Sequence, residues 1–294
     1  MTLATKNTPV NRTYKSRIFE MIFSDKTELL TLYNAVNKTH YTDAEQLEIN
    51  TLENAIYMSM HNDLSFLIDS RLSLYEHQST YSPNLPLRYL FYISDLYSVM
   101  TRDSNLYGTK KVILPTPKFL IFYNGVQEQP EVQELKLSDV YTVSNQEPSL
   151  ELKATMLNIN PGKNEDLKNA CKALKDYAEY TSRIRRYTET MSLPDAVEQV
   201  INECIQEGIL SEFLSVHRTE AIAMSIYEYD EERHMRQTRE EGYDDGLTRG
   251  RIEGLELSNL LIRKLAELGR MDDIVKAAND PEYQEKLLLE FDLK

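Results

Sequence analysis

The chain is poor in cysteine, in long apolar runs and in positive charge, and each shortage narrows what it can be. Only two of its 294 residues are cysteine, Cys171 and Cys204. Neither stands in a Cys-x-x-Cys pair or a zinc-ligand spacing, so the expectation is reduced, buried thiols in a reducing compartment. No run of 18 apolar residues occurs, and Met1 to Val10 lacks an apolar signal core. The sequence therefore reads as a cytoplasmic protein with no membrane span. The net charge of −14 works against simple nucleic-acid binding, where Lys and Arg contacts to phosphate dominate affinity. That charge is unevenly spread: residues 1–130 carry 12 basic and 13 acidic side chains, residues 131–294 carry 21 and 34. Missing too are the G-x-x-x-x-G-K-[ST], G-x-S-x-G and H-E-x-x-H patterns, which leaves nucleotide-driven, serine-hydrolase and zincin chemistry without an anchor.

What is present centres on residues 62–79. Apolar residues alternate at Leu64, Phe66 and Ile68 and again at Leu72 and Leu74, with a polar break at Asp69-Ser70-Arg71. This spacing predicts two half-buried strands and a tight turn. With Ser70 and Arg71 as the loop, Ser65 faces Glu76 and Asp63 faces Gln78. Asp63, Glu76 and Gln78 then share one face of the sheet. Glu76 and Asp63 are diagonal neighbours about 7–8 Å apart at the backbone, within reach of one cation. Hard oxygen ligands without thiolates or a His pair suit Mg²⁺ or Mn²⁺. A one-residue slip would turn Asp63 to the other face.

An acid early in one strand followed by Glu-x-Gln in the next is similar to the PD-(D/E)XK nuclease signature, with Gln78 where the signature has Lys. Asn62 to Leu67, Tyr75 to Thr80, Pro86 to Tyr89 and Phe119 to Gly125 together resemble the Rpn family of recombination-promoting nucleases, also labelled transposases of the PD-(D/E)XK class. The resemblance covers about residues 12–235. It implies an α/β, restriction-endonuclease-like core of α-β-β-β-α-β order and a metal-dependent DNA endonuclease. The catalytic residues would be Asp63, Glu76 and Gln78, with Asp63 and Glu76 on the metal. In that family the first helix often adds an acid; the matching position here is Ser16, with Glu20 and Glu28 as substitutes.

Periodicity supplies the remaining elements. A helical segment from Tyr14 to about Val36 is interrupted by an N-cap signal at Ser24-Asp25-Lys26-Thr27. His40 to Asn54 reads as a polar connection and Ala55 to Met60 as a first strand. Pro83 and Pro86 open a helix to about Met100. Arg88 lies in its first turn, a poor place for a cation near the helix dipole, which marks it as a phosphate or carboxylate contact or a structural ion pair. Strands are expected at 118–123, 132–137 and 149–158, and helices at 165–191, 195–207 and 210–239. Gly242, Gly246, Gly250 and Gly254 form a stripe at intervals of four, and amphipathic helices follow at 255–268, at 271–278 and from Pro281. The domains expected are 12–235, nuclease-like, and 236–294, an acidic helical tail through which copies could associate. A non-catalytic interaction protein working through that tail is the alternative to the endonuclease.

Overall fold

The computed structural model describes residues 17–49, 64–143 and 147–293. The chain divides into two units, Met1–Glu232 and Arg233–Lys294.

The first unit opens with α1 (Arg17–Phe23) and α2 (Lys26–Asn37). The break between them is the N-cap anticipated from sequence: Asp25 accepts from the backbone N–H groups of Thr27 and Glu28 at 2.8 and 3.1 Å, a contact worth about 1 kcal/mol. The stretch read as a polar connection holds a 3₁₀ turn, Ala44–Gln46, and a two-residue strand β1 (Glu48–Ile49). The first strand expected at Ala55 to Met60 lies outside the described residues. Then come β2 (Leu64–Ile68), β3 (Arg71–Gln78), α3 (Leu85–Met100), β4 (Thr116–Tyr123), β5 (Val132–Lys136) and β6 (Lys153–Asn158). The six strands form one mixed sheet in the order β1-β2-β3-β4-β6-β5. β3, β4 and β6 run parallel and the other pairs antiparallel. The fold is α/β.

The hairpin register differs from the expected one. Ile68 pairs with Arg71 and Leu64 with Tyr75, so Asp69 and Ser70 form the loop and Ser65 faces Leu74 rather than Glu76. Both loop residues have positive φ, 49° and 58°, as a two-residue turn of the primed type requires. Asp tolerates that conformation better than Arg does, and the shift also sets Leu67 opposite Leu72. Because the offset is two residues, every side chain keeps its predicted face.

Strand alternation then sorts the core into two layers. Phe66, Tyr75 and Phe122 pack with α1, α2 and the helices that follow the sheet, among them α5 (Lys172–Tyr187) and α6 (Leu193–Glu207). Leu72, Leu74, Ile121 and Met156 pack with α3 on the opposite side. Pro194 near the start of α6 and Gly208 in the left-handed conformation at its end are placed as their chemistry predicts. α4 (Glu165–Ala170), α7 (Ser211–Val216) and the first residues of α8 (Arg218–Glu267) complete this unit's helices. α8 covers the residues of the glycine stripe, and the helix expected at 210–239 is divided at His217 between α7 and α8.

In the second unit the end of α8, with α9 (Met271–Asn279) and α10 (Pro281–Glu290), encloses a small core of Leu261, Leu265, Ala277 and Leu287. Among the described residues, no helix is long and apolar enough to cross a membrane. Cys171 and Cys204 are buried free thiols, pushed up by burial to about 12 and about 11.

Candidate functional site

Glu76 is the unusual residue of the sheet. It stands near the carboxyl end of β3 on the α3 side, and only 1% of it is exposed. A carboxylate so placed needs compensation. Arg88, from the first turn of α3, forms an ion pair with Glu76 Oε1. Gln78, two residues along β3, donates to the same oxygen from Nε2 at 2.9 Å. Arg88 is itself fixed one turn further along by the Tyr92 hydroxyl, which accepts from Nε at 3.2 Å and from Nη2 at 3.0 Å. The guanidinium sits against the helix dipole because a buried anion is there to meet it. Of the readings open for Arg88, the structure gives the ion pair with a carboxylate.

The predicted residues are thus partly assembled. Glu76, Gln78 and Arg88 share one side of the sheet. Asp63 and Ser16 lie outside the described residues. Glu28 is elsewhere: its carboxyl is raised above the ordinary range by burial and then by Asp25, with Lys172 opposing, and none of these belongs to the Glu76 cluster. Glu20 lies on α1, across the sheet from α3. As a test of metal fit, Glu76 offers one hard oxygen ligand of the right kind. Among the described residues, no group of three or more His, Cys, Asp or Glu is placed to hold an ion.

A second cluster, which sequence reasoning missed, lies behind the same strand end. His77, between Glu76 and Gln78, points to the opposite face by strand alternation. There its ring stacks on Phe19 at 5.4 Å, and a 3.0 Å hydrogen bond joins its Nε2 to the Tyr177 hydroxyl. Burial pushes its imidazole down to about 3, the Arg185 charge adds to this, and a hydrogen bond with Asn124 opposes it. Asn124 follows β4, and its N–H donates to the Gln78 carbonyl at 3.1 Å. Arg185 from α5 donates to the Asn124 carbonyl oxygen. The available sequence signal was Asn124-Gly125 closing an apolar run, which reads equally well as a turn. Gly125 is required by close approach: a Cβ there would lie 2.3 Å from the Ser79 carbonyl oxygen.

His217 follows α7 with its ring 5.1 Å from that of Phe213. Compared with protein-family models, with curated proteins and with solved structures, the chain finds no match in any of the three.

Proposed function

We propose that this protein is a metal-dependent DNA endonuclease of the PD-(D/E)XK type. The observation that carries the reading is Glu76, a carboxylate buried at the carboxyl end of a central strand and flanked on one face by Gln78 and Arg88. In open α/β sheets ligands bind outside the carboxyl ends of the strands, and a hairpin, a crossover helix and a parallel strand bring the residues there. Asp63 and Glu76 would hold Mg²⁺ or Mn²⁺. Such an ion activates water and offsets charge on the scissile phosphate.

The chain's own residues take distinct parts. Gln78 can hold a water by hydrogen bonding but brings no positive charge, so turnover is slow relative to a Lys-bearing site. Arg88 is a planar fork suited to a phosphodiester. Substrate phosphate competes with Glu76 for that fork, so Arg88 serves as counter-ion in the resting site and as phosphate contact in the loaded one.

The same ion pair supports a second reading, a non-catalytic interaction protein of this fold. Arg88 already neutralises Glu76, and the second unit exposes Leu255, Leu268, Met271 and Val275, apolar surface through which copies could associate.

Plasmid nicking in Mg²⁺ separates the two. The endonuclease reading expects nicking by wild type that falls at least about a hundredfold, roughly 3 kcal/mol in barrier, in both Asp63→Ala and Glu76→Ala. No cleavage by wild type, or equal cleavage by all three proteins, leaves the interaction protein.

A further inference from the structure

We propose that the cavity behind the end of β3 binds a single phosphate of a nucleic-acid backbone, through Arg185, Asn124, Thr181 and Ser79. The identity of the ligand rests on the endonuclease reading; its chemical class rests on the cavity.

The cavity holds about 40 Å³ and is lined by those four residues together with His77 and Tyr177, among others. A single water needs only roughly 10–15 Å³, so the space has room for a small polar group such as a tetrahedral oxyanion. The lining mixes these polar side chains with apolar surface from Tyr180, Ile184 and Tyr229. Asn124 and His77 are buried, and Thr181 Oγ1 lies 3.4 Å from the Asn124 amide nitrogen. Among the described residues of the lining, one side chain is a guanidinium and none is a carboxylate. Arg185 donates to the Asn124 carbonyl and Oδ1, and Thr181 Oγ1 to the Tyr177 and Ala178 carbonyls; a phosphate would draw its donors from this guanidinium, amide and hydroxyl set.

Position supports the same ligand. The cavity opens at the carboxyl ends of the parallel strands β3 and β4, the end at which Glu76 and Arg88 stand on the opposite face. Ser79 directly follows Gln78, so the strand tip separates the two clusters by a few residues at about 3.3 Å each. A nucleic-acid strand crossing that tip would set one phosphate near Gln78 and Arg88 and a neighbouring one in the cavity.

The test uses the full chain in EDTA, with inorganic phosphate and dimethyl phosphate titrated by calorimetry and thermal shift against chloride at equal ionic strength. Both probes are expected to bind saturably, dimethyl phosphate at least as tightly because it copies a backbone diester. Arg185→Gln should weaken binding about tenfold, and Ser79→Ala about threefold without moving the unfolding temperature of the ligand-free protein. Three results would overturn the site: no saturable response beyond chloride, unchanged affinity in both variants, or binding of the monoester with none of the diester. Because the assay contains no metal, saturable binding stands even if nicking is never seen, and nicking without it sinks the cavity alone.

Discussion

Glu76 and Arg88 form an asymmetric pair, one partner 1% and the other 30% exposed at the side chain. Removing the arginine strands a charge in the interior, which typically costs more than the intact pair contributes. Arg88→Met is therefore expected to lose about 3 kcal/mol of stability in urea unfolding without metal, and Mn²⁺ should recover part of it, since an ion bound only by the folded state stabilises by mass action. If Mn²⁺ recovers nothing, Glu76 is no ligand. His77 makes a separate prediction. Its ordinary value is 6.5 and its folded value about 3, so between those limits the unfolded chain takes up a proton that the folded chain refuses. Stability then rises with pH across that window and is lost as pH falls from 6.5. The His77 share has a slope of up to about 1.4 kcal/mol per pH unit, so unfolding free energies between pH 6.5 and 4.5 should fall more gently in His77→Gln. Alternation on β3 made the shared face of Glu76 and Gln78 readable in the sequence. The Arg88 contact was not readable, because twelve residues and a change of element separate its partners, and neither was the His77 cluster, assembled from β3, β4 and α5.

The hairpin illustrates what local pattern can decide. Three polar residues interrupt the apolar alternation, and only the positive φ of Asp69 and Ser70 selects which two turn. The apolar spacing fixed the faces and left the register open by two. β1 escaped notice because two residues, Glu48 and Ile49, carry no alternation. By contrast the punctuation at Asp25, Pro194 and Gly208 was legible, since each residue satisfies or tolerates a helix end by its own chemistry. Glycines divide in the same way. Gly125→Ala should lose roughly 2–3 kcal/mol, the upper range for overpacking, because the obstruction at Ser79 is backbone. Gly246, Gly250 and Gly254 meet nothing within 4 Å, so Gly246→Ala should gain roughly 1 kcal/mol as a better helix former. Helicity and urea midpoints measure both, and a loss at Gly246 would mean that the stripe faces a second molecule.

Taken as a whole, the protein carries −14, which on the endonuclease reading constrains how it would meet DNA. On that reading binding would come from a few local cations rather than a broad basic surface. Anisotropy titrations in Mg²⁺ are expected to give a log–log salt slope shallower than about −2, where a protein neutralising six to ten phosphates would show roughly −5 to −9. A steep slope would point to a basic surface outside the Glu76 and His77 clusters.

The parallel pairing of β3 with β4 also bears on synthesis. β2 and β3 meet across a two-residue loop, so a nascent chain can zip that ribbon almost as soon as it leaves the ribosome. The other edge of β3 waits for a partner whose first residue, Thr116, pairs with Arg71, 45 positions earlier. During that interval a mostly buried-type strand offers bare amides and carbonyls to any neighbour, the condition under which growing chains stick to one another. The dwell time before β4 emerges is thus an interval in which this strand edge is open to mispairing.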